Sequence, residues 1–319
     1  MRATYVALIC ASAVPAMAEA PFLQLPLDCV YGETCVVEDY VDADPTDRQH
    51  DFTCGLKSRN GHRGTDFALM SDAKLADNVQ VLAAADGIVQ VTRDGVLDQP
   101  YTAAIAPQLK GKECGNAVRI GHPNGYQTLY CHLKKGSIAV QTGDAVTAGT
   151  PLGAVGMSGQ SNFAHLHFTV LKDGQVVDPF SPTPKDTCGW DGETLWLTDL
   201  PYSTTGLFTA SFTTWMPRMA HVQSGAARRV DATPQDDLLL YGFAFYAETG
   251  DQMTFEATGP NGPIFADTVT IDKGQTQLFR TFGRKAPDGG WMPGDYTGTV
   301  KLTRDGQVLA IRNAQIRIE

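Results

Sequence analysis

From about residue 60 to 182 short apolar runs alternate with glycine-bearing turns, and the 3.6-residue periodicity of amphipathic helices is almost absent. Val79–Ala85, Gly87–Val91 and Ala117–Ile120 read as strands, and Asp173-Gly174 reads as a tight hairpin turn because both residues accept positive φ. The stretch 97–112 breaks this rhythm and is expected to be an inserted loop bordering a cleft. After a proline-rich stretch (Pro179, Pro182, Pro184) and Gly189-Trp190, strand patterns resume at 238–246, 253–257, 276–282, 296–303 and 310–318, with a hairpin at Asp305-Gly306. The pattern predicts a mainly β protein: short strands joined by glycine turns over 60–182, followed by a small β-sandwich of roughly immunoglobulin size over 200–319.

The amino-terminal end differs. Met1-Arg2 and the apolar run Ala3–Ala18, closed by Ala16-Met17-Ala18, read as a secretory signal peptide over residues 1–18. No other apolar run approaches the about 18 residues needed to span a bilayer. Removing the signal takes away Cys10 and leaves Cys29, Cys35, Cys54, Cys114, Cys131 and Cys188. An even number in an exported chain predicts disulfides, although spacing alone does not fix the pairing. Cys114–Cys131 across a turn near Gly121–Gly125, a local Cys29–Cys35 loop, and Cys54–Cys188 joining the ends of the central domain are the expected set. Residues 19–58 then form a disulfide-stapled segment that wraps the central domain or overhangs its cleft. Its acidic stretch Glu38–Asp47 lacks the glycine of a calcium loop and contains Pro45, so it reads as a solvated loop.

Apolar residues make up 43% and charged residues 19% of the chain, enough for packed cores, and the formal charge of −10 becomes −11 once Arg2 is lost. With no lysine- or arginine-rich stripe, nucleic acid and anionic membranes are disfavoured as partners.

The candidate chemistry lies in two runs. In Gly61-His62-Arg63-Gly64-Thr65-Asp66 an extended chain points His62 and Asp66 the same way, with Gly64 giving clearance. In Phe163–Val170 it puts His165 and His167 on one face and Leu166, Phe168 and Val170 on the other, which reads as core. Imidazoles plus a carboxylate are the donor set of a catalytic zinc, whose open position activates water. Spacing leaves open which of His165 and His167 would bind the metal. His50, His122 and His221 read as turn, loop or surface residues.

A third run, Tyr130-Cys131-His132-Leu133, completes an ordered pattern. Together with His62…Asp66, His165-Leu166-His167-Phe168, Gly143-Asp144, Pro151-Leu152-Gly153, Gly156–Gly159 and Val177-Asp178-Pro179, it resembles the lysostaphin-type (LytM-like) zinc endopeptidases of bacterial cell walls. The resemblance covers about residues 60–182 and implies a zinc peptidase domain over 59–195, built on an antiparallel, barrel-like sheet. It also implies one zinc ion per chain on His62, Asp66 and His167. His132 and His165 would flank the open position, one activating water and one stabilising the oxyanion. Tyr130 and Asn116 are candidate substrate-positioning residues. The family's Gly-Pro pair before His-Leu-His is replaced here by Asn162-Phe163-Ala164, which alters one cleft wall.

The resulting expectation is an exported, periplasmic endopeptidase hydrolysing stem-peptide cross-links or bridges of peptidoglycan. Two alternatives stay open: a non-catalytic or autoinhibited regulator or wall-binding protein, and a zinc protease acting on polypeptides. The 200–319 module could bind a wall component or a protein partner, or act only as a spacer.

Overall fold

The structure, a computed structural model, describes residues 20–69, 78–99, 101, 104–161, 163–183, 189–202 and 204–319. The expected signal peptide and Asn162 lie outside the described residues, and so does Cys188, the expected partner of Cys54. Cys54 is itself disulfide-bonded. The other two expected disulfides, Cys29–Cys35 and Cys114–Cys131, are present.

The chain to residue 180 forms β1 (Cys35–Asp39), β2 (Thr65–Leu69), β3 (Gln80–Leu82), β4 (Gly87–Arg93), β5 (Asn116–Gly121), β6 (Tyr126–Leu133), β7 (Ala145–Val146), β8 (Pro151–Ala154), β9 (His165–Lys172) and β10 (Gln175–Val177), with one short helix, α1 (Ala106–Leu109), in the inserted loop. The main antiparallel sheet runs β1-β2-β9-β6-β5-β4-β7, with β10 on β9, while β3 and β8 pair separately. Alternation along β9 is as expected. Leu166, Phe168 and Val170 join Val118, Ile120, Tyr130 and Leu133 in one core, and the histidines take the opposite face.

The amino-terminal segment is part of this core rather than a lid upon it. Leu23, Leu27, Val37, Tyr40 and Phe52 are buried in the same cluster. The expected solvated loop at 38–47 is corrected in its first half. Glu38, Asp39, Tyr40 and Val41 are buried, because Cys35–Asp39 adds as an edge strand to β2. The apolar residues around the acids (Val36, Val37, Tyr40, Val41) carried that signal. Tyr130 and Asn116 are corrected too. Tyr130 is fully buried, its hydroxyl accepting from the Ala84 N–H at 2.8 Å. Asn116 clamps the inserted loop through Val96 and Leu133 backbone groups. Neither faces the cleft.

Beyond residue 200 the chain builds β11 (Gly206–Thr213), α2 (Met219–Gln223), β12 (Asp231–Ala232), β13 (Leu238–Ala247), β14 (Gln252–Gly259), β15 (Gly262–Thr270), β16 (Gln275–Arg284), β17 (Gly294–Arg304) and β18 (Gln307–Ile318). Sheet β11-β13-β16 faces sheet β12-β18-β17-β14-β15 across a core that includes Leu240, Phe255, Val300 and Ile316. A third apolar cluster joins the two parts, with Val36 and Ala68 of the first sheet packed among Phe208, Tyr241, Phe243 and Phe245.

Asp178, after β10, is a buried carboxyl. Its Oδ1 accepts from the Phe180 N–H at 2.9 Å, its Oδ2 finds no partner among the described residues, and burial pushes its pKa up to about 7. A raised folded-state pKa stabilises the fold fully below the unfolded value of about 3.9, and that contribution is lost as pH rises through 7. We expect Asp178→Asn to flatten the loss of stability between about pH 4 and 7, worth at most about 4 kcal/mol, in denaturant titrations at several pH values. An unchanged pH profile would contradict this.

Candidate metal centre

Asp66 is fully buried on β2 and stands opposite His167 of β9 in the strand register. His62 is not on that strand. A turn closed by the His62 N–H to the Arg59 carbonyl (2.8 Å) carries it, so the expectation that extended spacing aligns it with Asp66 is corrected while the convergence holds. Gly64 is required here, since a Cβ would come within 2.7 Å of the His167 ring.

The donor atoms of His62, Asp66 and His167 all lie within 4.8 Å of one another. His62 Nε2 is 3.1 Å from Asp66 Oδ2 and 3.3 Å from His167 Nδ1, and His167 Nδ1 is 2.7 Å from Asp66 Oδ1. A tetrahedral ion bound at about 2.0–2.1 Å holds its ligand atoms about 3.3 Å apart, so the set fits such an ion with shifts of a few tenths of an ångström. The far nitrogens agree. His62 Nδ1–H donates to the Tyr40 carbonyl at 2.7 Å and His167 Nε2–H to Thr169 Oγ1 at 3.1 Å, leaving His62 Nε2 and His167 Nδ1 facing the site.

His132 and His165 stand beside this triad, their rings 4.7 Å apart. His132 Nδ1–H donates to the Ser158 carbonyl at 2.7 Å and His165 Nδ1–H to the Phe163 carbonyl at 3.0 Å, so both Nε2 lone pairs are free. Phe163, part of the altered pre-histidine segment, stacks on the His165 ring at 4.4 Å. His132 is held at φ 63°, with its N–H on the Cys114 carbonyl beside the Cys114–Cys131 disulfide. Burial, then the neighbouring imidazoles, lowers the His132 pKa well below the usual range. Burial also lowers His165, although Asp66, 3.8 Å away, opposes that. For Asp66, burial favours the neutral acid, but His62, His165 and His167 outweigh it and hold the carboxyl well below its usual value. His62 is raised, because Asp66 outweighs its burial. The cleft around these residues encloses about 730 Å³ and is also lined by Arg63, Glu113 and Leu129. His50, His122 and His221 lie elsewhere. His122 bridges the Asp86 carbonyl and Thr128, His50 bonds the Asp51 carbonyl, and His221 accepts from the Arg218 N–H.

Sequence reasoning missed Arg59. Its Nε pairs with Asp39 Oδ2 at 2.7 Å, and its Nη2 donates to Asp66 Oδ2 and lies 3.2 Å from His62 Nε2. The Tyr246 hydroxyl of β13 donates to Asp39, and Gln277 of β16 donates to Glu38 at 2.5 Å, so the β11-β13-β16 sheet braces Asp39, which holds Arg59, and its neighbour Glu38. No motif announces this arginine, whose partner Asp39 comes from β1 and is itself braced by β13.

Residues 60–179 match the family model described as Peptidase family M23, and that stretch belongs to it. The DD-carboxypeptidase/endopeptidase Mpg of Neisseria meningitidis serogroup B is 34% identical over 131 residues, 40% of this chain and 24% of that protein. The peptidoglycan DD-endopeptidase ShyA of Vibrio cholerae serotype O1 is 33% identical over 117 residues, 37% of this chain and 22% of that one. The chain therefore spans about a quarter of the length of these curated relatives. Among solved structures, a zinc-containing peptidase from Vibrio cholerae shares 27% identity over 44% of this chain and 38% of that one, with a TM-score of 0.29.

Arg59 and a bound ion would share lone pairs on Asp66 and His62. We expect Arg59→Met to bind Co2+, followed by its visible spectrum, about two- to tenfold more tightly than wild type, since displacing a half-exposed charge-assisted hydrogen bond costs about 1 kcal/mol. Equal or weaker binding would mean that Arg59 instead holds Asp66 in place for the ion.

Proposed function

We propose that this M23 domain makes the protein an exported zinc-dependent endopeptidase that hydrolyses peptide cross-links of peptidoglycan, acting in the periplasm. The observation that carries the reading is the convergence of His62, Asp66 and His167 with two further imidazoles whose free Nε2 atoms flank the same point. The relative named as a peptidoglycan DD-endopeptidase supports the substrate, and disulfide bonds support an oxidising compartment. The proposed division is a signal peptide over 1–18, an amino-terminal segment over 19–58, the peptidase domain over 59–195 and an accessory β-sandwich over 200–319.

His62, Asp66 and His167 would hold the zinc, which when bound supplies a Lewis acid that polarises a carbonyl and acidifies water. The remaining steps belong to the chain. His165, the imidazole with a carboxylate 3.8 Å from its Nε2, is the better holder of a proton; it takes one from the attacking water and returns it to the leaving amine. His132, neutral and bonded through Nδ1–H to Ser158, accepts at Nε2 and orients that water; it donates to the oxyanion only once protonated.

Digestion of purified peptidoglycan, read by mass spectrometry, is expected to release cross-link fragments in a chelator-sensitive manner. His132→Asn, which tolerates the positive φ, is expected to keep the metal and lose about 10²–10⁴-fold in turnover. The acid limb of kcat/KM is expected below the ordinary histidine value of about 6.5, because His132 and His165 are both shifted down by burial. Wild-type activity in the asparagine variant, or no cleavage by a metal-loaded wild type, would overturn the reading.

A further inference from the structure

Residues 60–179 contain three arginines, Arg63, Arg93 and Arg119, and all three line two adjoining cavities on one face of the main sheet. The first cavity holds the candidate metal centre. The second, about 500 Å³, lies over β4 and β5 and shares Glu113, Cys114 and Leu129 with the first. In a chain of formal charge −10 this concentration of guanidinium groups along one groove is a specific feature, not a solvated background.

The three are not alike. Arg63 is exposed at the rim. Arg93 is engaged by the protein, its Nε donating to the Gly115 carbonyl at 2.5 Å and its Nη1 to the Gly111 carbonyl at 3.3 Å. Arg119 is half-buried on the floor, its Nε fully enclosed with no acceptor among the described residues. The facing charges are Arg93 and the exposed Glu113, whose Oε1 is already taken by the Gly111 N–H at 2.9 Å. The enclosed Nε is closed to the groove, so it is the two terminal Nη groups, not enclosed and without an acceptor among the described residues, whose end-on edge can give two parallel hydrogen bonds to a carboxylate in the cavity.

The register fixes where that edge lies. Arg119 stands opposite Leu129, which stands opposite Thr169, one side-chain step along β9 from His167. Two strand spacings and two residues along the strand put the Arg119 and His167 backbones about 12 Å apart, the span of about three to four residues of extended peptide. A peptide lying across the sheet with its scissile amide at the metal centre would carry its third or fourth residue over Arg119.

We propose that Arg119 anchors a carboxylate subsite, so that the groove selects peptides bearing a free carboxylate three to four residues from the bond cut. This rests on the endopeptidase reading, and it narrows the substrate to acidic stem peptides over amidated ones. Arg119 is a specificity residue: it touches substrate far from the reacting atoms.

The test uses a synthetic cross-linked stem-peptide pair, one member with free carboxylates and its twin with carboxamides, measured for both binding by calorimetry and cleavage. Wild type is expected to favour the free acid about tenfold in binding and KM with kcat unchanged. Arg119→Gln is expected to erase the preference and Arg119→Lys to restore part of it, with metal content and melting temperature unchanged. Equal binding of the twins by wild type, or a preference that survives in Arg119→Gln, would overturn the subsite, and the wild-type comparison needs no variant to fold. A binding preference without cleavage of either twin would sink the endopeptidase reading and leave the subsite standing. Equal binding and cleavage of both would do the reverse.

Discussion

The carboxylate of Asp66 is the constraint around which the rest is arranged. It is fully buried on a central strand, and an ionised carboxyl in such a place is prohibitively costly unless cations and hydrogen bonds surround it. The chain answers with four groups from two segments: His167 and, at 3.8 Å, His165 from the neighbouring strand, and His62 and Arg59 from the preceding turn. The ensemble is an anionic point surrounded by donors that a divalent ion can replace or join. Its electrostatics, as well as its shape, make it a candidate metal centre.

Meeting that demand reaches well beyond the M23 stretch. His62 is oriented by the Tyr40 carbonyl, so the amino-terminal segment belongs to the site's framework. Arg59 is held by Asp39, which is braced by Tyr246 of the carboxyl-terminal sheets. Beside it Lys57 is enclosed by the rings of Tyr40, Tyr202, Phe245 and Tyr246 at 4.9–5.9 Å and donates to the Val37 carbonyl at 2.8 Å. Burial pulls its pKa down to about 8 despite Asp39 and Glu38. This junction of acids, cations and rings ties the two parts of the chain together next to the candidate ligands, and it gives the β11-β13-β16 sheet a structural role there.

What could be read from the sequence was what local periodicity and fixed spacing encode. The alternation in His165–Val170 placed two histidines on the cleft face and three apolar residues in the core, as found. The strand runs at 87–91, 117–120 and 238–246 fell within one or two residues of their observed bounds. What escaped depends on tertiary partners. Glu38 and Asp39 look like solvent residues until β2, Arg59, Tyr246 and Gln277 supply their counter-charges and donors. Tyr130 stands two residues before His132, so alternation alone would put both on one face. Tyr130 takes the core face, and the positive φ of His132 breaks the alternation where that ring reaches the cleft. His62 was aligned by strand geometry that the chain does not adopt there; a turn achieves the same convergence. Strands β11 and β15 were missed: β11 is buried on both faces, with Phe212 in the sandwich core and Phe208 at the junction between the two parts, and β15 is largely exposed, so neither shows a clean alternation.

The central claim is a division of labour among five side chains: His62, Asp66 and His167 hold a metal ion, whereas His132 and His165 act on substrate. Metal content per chain, measured by mass spectrometry on the purified single variants of all five, tests it most directly. The account requires loss of the ion in His62→Ala, Asp66→Ala and His167→Ala, and one ion per chain retained when His132 or His165 is replaced. Retention in any of the first three, or loss in both of the last two with the fold intact, would contradict it.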